Sequence, residues 1–393
     1  MQWIASYPFH FRGKFTLQNV ESLPFSAADR HCFYPFRSRC FQLQEVFMDF
    51  SIHPSLHFGD WLQESGSAIA LSSYQAGKVL LLGRRENGGL RANQSNFGRC
   101  MGIAFSPDHR RMFLATERML VRLDDFLTPG QIWEDGSDAL FVPRQSWITG
   151  GLDIHDLCLD AAQEPIFVNT LFNCLGTLAD GFNFRPLWKP AFISALVPED
   201  RCHLNGLACE NGQPRYVTAV AATDRKDGWR EHRDAGGLVI DVPSGETVCA
   251  GLSMPHSPRL FGGKLWVLNS GRGELCVVDP ANGQLEVVTR FDGYARGLAF
   301  QRHYAIVGLS LPRYETFSGL PLDAILSARK LEPRCGLSVV DLRSGRQVAG
   351  ARIEGEMREI YDVQVIAGRH NPQALSLRDK KLPGLVAIAS AER

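Results

Sequence analysis

Six side chains stand at one equivalent place in a short phrase that returns about every fifty residues: Met101, His155, Asn205, His256, Arg296 and Tyr361. Five of the six are polar or hydrogen-bonding. An imidazole with a near-neutral pKa serves as general acid or base. His155 and His256 are therefore the catalytic candidates, with Asp156 beside the first. Arg259 and Arg296 suit two-point contact with a carboxylate or phosphate. Asn205 can orient a substrate or, with the oxygens of Asp156 and Asp362, offer ligands to a hard divalent cation such as calcium. His155, His203 and His256 offer nitrogen ligands to a transition metal instead. His203, Asn269, Tyr361 and Arg99 complete the predicted ligand-binding set. No Gly-x-Ser-x-Gly elbow occurs, which leaves nucleophilic catalysis weakly supported. Plain structural uses compete with these: an Asn before Gly satisfies local donors where a strand opens, and Asp156 can serve only to orient an imidazole.

The elements that must position this set follow from the phrase. Each copy runs from the polar residue through a small or turn-tolerant one into an apolar strand, as in Asn205-Gly206-Leu207-Ala208-Cys209 and Arg296-Gly297-Leu298-Ala299-Phe300. A turn follows, such as Pro107-Asp108, Asn211-Gly212 or Gly262-Gly263, and then a second strand such as Lys264-Leu265-Trp266-Val267-Leu268. Short strands repeated at this period predict an all-β fold, a six-bladed β-propeller. The first strands, Ala68 to Ser73 and Lys78 to Leu82, precede the first phrase, whereas the sixth phrase lies near the C-terminus. Circular closure resolves this: the N-terminal strands complete the blade whose inner strand is Tyr361 to Ile366, leaving no open sheet edge between blades. Leu56 to Glu64 and Leu322 to Arg329 read as short helices. Two long insertions, Thr223 to Asp234 in blade 3 and Pro312 to Cys335 in blade 5, join second to third strands and so overhang the mouth that carries the six phrases. Arg313 and Asp224 are expected near that face.

The predicted domains are 1–47, a poorly ordered tail rich in Phe and Arg, read as non-native or, alternatively, as an arm packed on the propeller; 48–66, a lead-in; and 67–393, the propeller. Lysine and arginine balance aspartate and glutamate at 42 each, so no global field draws nucleic acid or an anionic membrane. No apolar run reaches the ~20 residues of a spanning helix. Ten cysteines are scattered without a Cys-x-x-Cys, and Cys158, Cys209 and Cys276 read as small buried hydrophobes. A reducing cytoplasm is the expected setting.

The phrase His203-Leu204-Asn205-Gly206-Leu207-Ala208 resembles the inner-strand motif of the gluconolactonase, strictosidine-synthase and paraoxonase group. That resemblance implies a six-bladed propeller, a divalent ion on the axis, Asn205 as a metal ligand, and lactonase or lyase chemistry. It also puts Arg296-Gly297 where that group has an axial acid. Over nearly the whole propeller, Ser73-Tyr74-Gln75-Ala76-Gly77-Lys78, His155-Asp156, Asn205-Gly206, His256-Ser257-Pro258-Arg259 and Leu268-Asn269-Ser270-Gly271 resemble a bacterial family of conserved proteins with no assigned activity. Together the residues predict an enzyme, a hydrolase or lyase, or a small-molecule binder acting on a polar, anionic ligand at the axial mouth. The alternative is a non-catalytic module that grips a protein or peptide there.

Overall fold

The structure, a computed structural model, describes residues 50–85, 87–312 and 319–389. The predicted tail 1–47 and Arg313 lie outside the described residues. The described strands form six sheets, each of four or five strands. The inner strands are Ile103–Phe105, Ile154–Leu159, Leu204–Glu210, Pro255–Phe261, Tyr294–Gln301 and Asp362–Ala367, for blades 1 to 6. Each packs against the next, and the sixth returns to the first, so the ring closes as a six-bladed β-propeller.

Blade 6 is the composite one. Its inner strand pairs antiparallel with Ser67–Ser73, with Ser67 opposite Ala367, and Lys78–Arg84 and Leu90–Asn96 complete the sheet. Two further strands flank this closure. Phe50–Pro54 adds an outer edge to blade 5, and Pro372–Ala374 adds a parallel edge to blade 1. The second of these also ties down blade 6, because the Asn93 amide donates to the Pro372 carbonyl at 2.7 Å and the Ser95 hydroxyl to the Ala374 carbonyl at 2.5 Å. Helix α1 (Phe58–Ser65) buries Phe58, Trp61 and Leu62 against the sheets of blades 5 and 6.

The second position of the repeated phrase latches neighbouring blades. It alternates Gly102, Asp156, Gly206, Ser257, Gly297, Asp362 around the ring. Each polar member reaches the next inner strand: the Leu207 amide donates to Asp156, the Gly297 amide to Ser257 and the Ile103 amide to Asp362, at 3.0, 3.2 and 2.8 Å. Glycine fills the alternate places because the strands approach there. A Cβ on Gly206 would sit 2.3 Å from Pro258 Cδ, and one on Gly297, at φ +76°, would sit 2.6 Å from the Val363 nitrogen. At Ser257-Pro258 the blade 4 inner strand carries a register shift between His256 and Arg259, with Ser257 at φ 48°.

One expectation is corrected. Cys158 and Cys209 are not isolated apolar side chains but form a disulfide between the inner strands of blades 2 and 3. They stand at the fourth and fifth positions of adjacent copies of the phrase, where closure brings the strands together. Cys276 is a buried free thiol, as expected.

Both insertions join second to third strands. The blade 3 insertion forms a short 3-10 turn, Gly228–His232, that buries Trp229. The blade 5 insertion forms helix α2 (Pro321–Arg329), anchored where the Tyr294 hydroxyl donates to Asp323 at 2.7 Å. The two meet over blade 4, where Trp229, Met254 and Leu320 share one apolar cluster with Val220 and Ala221.

Candidate functional site at the axial mouth

A cavity of about 360 Å³ opens at the mouth where the phrases begin. His155, His203, His256, Arg296 and Tyr361 line it, joined by Tyr74, Asp153, Asp200 and Trp229. Neighbouring strand starts bring these rings together. His155 stands edge-on to His203 at 4.9 Å between centroids and to Tyr361 at 5.6 Å. His203 stacks on Trp229 at 4.1 Å.

Hydrogen bonds fix which imidazole nitrogen is left for a ligand. His155 Nδ1 lies 2.9 Å from the Asp153 carbonyl, which only accepts, so Nδ1 carries the proton and Nε2 keeps its lone pair. His203 Nδ1 donates to an Asp200 carboxylate oxygen at 2.8 Å. Trp229 Nε1 donates to that same Asp200 oxygen at 2.9 Å. Burial opposes the Asp200 charge, but His203 and the Trp229 donor outweigh it and hold this carboxyl below the ordinary range.

Asn205 lies beneath this cavity, only 2% exposed. Its Nδ2 donates to the Pro255 carbonyl and to His256 Nε2, both at 3.1 Å. The Pro255 carbonyl fixes this amide orientation, because a flipped Asn would set oxygen against oxygen. Asn205 Oδ1 is buried without a hydrogen-bond partner. Arg296 lies with its guanidinium 3.7 Å from the Tyr361 ring centroid. No carboxylate pairs with Arg296 among the described residues, so a cation faces the cavity beside the His155 imidazole.

His155 is held down to about 4, chiefly by burial and further by His203 and Arg296, although Asp153 opposes this. An unfolded chain protonates this histidine near 6.5. The unfolded state therefore binds more protons between about pH 6.5 and pH 4, and stability falls as pH drops through that window, by up to about 3 kcal/mol. His155→Asn is expected to flatten this stretch of a plot of urea midpoint against pH; an unchanged slope would contradict the buried neutral imidazole. Asp362 acts in the opposite sense. Burial first, and then the neighbouring Asp156, push its carboxyl up to about 6, so its contribution is present below about pH 4 and is lost as pH rises through 6.

The remaining predicted residues are placed elsewhere. Asp156 and Arg259 lie in the channel and hold each other, with Arg259 Nη1 and Nη2 donating to Asp156 oxygens at 2.7 and 3.1 Å. Asn269 accepts the Ser253 amide at 2.8 Å and donates to Glu274 at 2.9 Å, inside blade 4. Arg99 is exposed at the rim, 5.1 Å from the Tyr74 ring centroid and 3.6 Å from Glu117. Asp224, expected near the mouth, pairs with Arg201 at 2.7 Å in an exposed loop. Sequence reasoning missed Asp153, Asp200 and Trp229. Their signals were an acid two residues before His155, an acid three before His203, and a lone tryptophan in a charged loop.

The calcium site implied by the gluconolactonase-like resemblance does not fit these residues. Asn205 offers one buried oxygen, while the channel carboxylates Asp156 and Asp362 face Arg259 at 2.7 and 3.8 Å. Among the described residues no group of three or more His, Cys, Asp or Glu is arranged to hold a metal ion. Nor is any described helix long and apolar enough to cross a membrane.

Six blades around a polar axial mouth define a β-propeller, a fold compatible with binding a ligand or a protein. The chain belongs to the family described as "Domain of unknown function (DUF4915)", which matches residues 56–375. No curated protein matches the sequence. Among solved structures, a chain of the nidogen/laminin complex is similar at 12% identity and TM-score 0.47, over 77% of this chain and 99% of that one. TolB from Acinetobacter baumannii is similar at 10% identity and TM-score 0.43, over 77% of this chain and 66% of that one.

Proposed function

We propose that the protein binds a small anionic molecule at the axial mouth and that His155 exchanges a proton with it. The observation that carries this reading is the Arg296 guanidinium, without a carboxylate partner among the described residues, in one cavity with imidazoles whose Nδ1 protons are already engaged. Arg296 holds the negative charge. His155 offers its Nε2 lone pair to a hydroxyl or amide of the ligand, and His203 stands beside it. Asn205 fixes His256 from below. Asp156, Arg259 and Asn269 take no part beyond holding the blades in place.

Isothermal titration with sodium acetate, pyruvate and inorganic phosphate tests the reading. Arg296→Gln is expected to weaken the anion that binds by about tenfold or more, the worth of a charged hydrogen bond. Equal affinity in the two proteins, or no binding by the wild type, would remove it. The role of His155 has its own readout. An anion placed beside this imidazole raises its pKa from about 4 toward neutrality. Binding at a pH of about 5.5 should then take up protons, seen as a dependence of the binding heat on buffer ionisation enthalpy, and His155→Gln should lose that uptake.

A further inference from the structure

Beside the mouth lies a second, smaller cavity of about 60 Å³, and the two share Met254, His256 and Arg296. Its other walls are Ser270, Tyr294, Ala295, Ser310, Leu311 and Leu320. The polar atoms of these walls are already engaged. The Ser270 hydroxyl donates to the Ala295 carbonyl. The Ser310 hydroxyl donates to the Ile360 carbonyl and accepts the Ile360 amide, both at 3.1 Å. The Tyr294 hydroxyl donates to Asp323 at 2.7 Å. What these walls offer a guest is therefore carbon, from Met254, Ala295, Leu311 and Leu320. Among the described residues of the lining, charge enters only at the neck, where His256 and Arg296 stand.

We infer that the ligand is a short-chain carboxylate, its carboxylate on Arg296 and its apolar tail in this side lobe. The inference rests on the reading of the mouth as an anion site and adds the chemical class of the molecule. The size follows from the volume. A water occupies about 30 Å³ of liquid, so the lobe holds a tail of about two or three heavy atoms. Phosphate, having no carbon tail, leaves the lobe empty. The lobe is also built from specificity-setting parts of the chain. Met254 precedes the blade 4 inner strand, and Leu320 comes from the blade 5 insertion, packed with Trp229 of the blade 3 insertion. The two insertions thus set the length of tail that fits.

The test is a titration series of sodium acetate, propanoate, butanoate, hexanoate and octanoate against the intact protein. Affinity is expected to rise about fourfold per added methylene while the lobe fills, the ratio for burying one CH₂, and to stop rising or fall beyond butanoate. Met254→Ala, which enlarges the lobe at its neck, should move the best length upward. Leu320→Ala, which enlarges it from the roof, should do the same and guards against a folding defect in either single variant. Equal affinities along the series, with the Arg296→Gln loss intact, would overturn the lobe and leave the anion site standing. Loss of any Arg296-dependent binding along the series would overturn both. A wild-type optimum that neither enlargement moves would also overturn the assignment of the tail to this lobe.

Discussion

Arg259→Met is expected to destabilise the propeller by about 3–5 kcal/mol, the cost of breaking one side of a buried ion pair. The guanidinium donates to both oxygens of Asp156, and Asp362 Oδ1 lies 3.8 Å from its Nη2. These carboxylates do more than balance charge. Asp156 also accepts the Leu207 amide and Asp362 the Ile103 amide, so each joins its blade to the next. Burial disfavours the Arg259 cation, but the two acids hold its pKa above the ordinary value. Without it, two buried carboxylates face each other across the channel. The measurement is the urea midpoint of Arg259→Met against wild type. The triple variant Arg259→Met, Asp156→Asn, Asp362→Asn should recover part of the loss, because it removes the uncompensated charge. A single variant within about 1 kcal/mol of wild type would show that the channel cluster carries no such weight.

The disulfide between Cys158 and Cys209 is expected to contribute on the order of 4 kcal/mol through the loop it closes, given a sequence separation of 51. Loop closure restricts the unfolded chain, and here it also fastens the inner strands of blades 2 and 3. Calorimetry with and without a phosphine reductant is the check. Reductant should lower the melting temperature of the wild type and leave the double variant Cys158→Ser, Cys209→Ser unchanged. In a reducing cytosol the pair would stand as two thiols, and the reductant arm then measures the stability of that form. A wild-type transition insensitive to the reductant would show that this crosslink does not hold the blades.

How far the sequence exposed these features depends on their range. The inner strands were legible because a small residue followed by alternating apolar ones leaves a local pattern, and the phrase repeats it. Pro258 marks a break in regular pairing, since proline restricts the residue before it and removes a ladder donor. The closing of the ring was legible because the strands at residues 67–82 had no inner strand before them in the sequence. What was hidden depends on contacts between copies of the phrase. Asp156 next to His155 suggested catalysis, yet its carboxylate reaches Arg259 about a hundred residues away and the amide of the next blade. The alternation of Gly with Asp or Ser at the second position was present in the sequence, and its meaning came only with the ring. Cys158 and Cys209 are spaced by about one repeat, which nothing local distinguishes from two core cysteines. The parallel pairing of Pro372–Ala374 leaves no pattern at all in three residues.

The composite blade sets a timetable for the chain's birth. Ser67 must wait for Ala367, about 300 residues further on, before its sheet has an inner strand. At ~5–20 residues per second a ribosome takes about 15–60 s to deliver it. During that interval Ala68 to Leu71 and Leu80 to Leu82, all buried in the finished ring, have no lasting place to go. A nascent chain of this design needs a holding factor, or a temporary docking of those strands elsewhere, more urgently than a protein whose neighbours in space are neighbours in time.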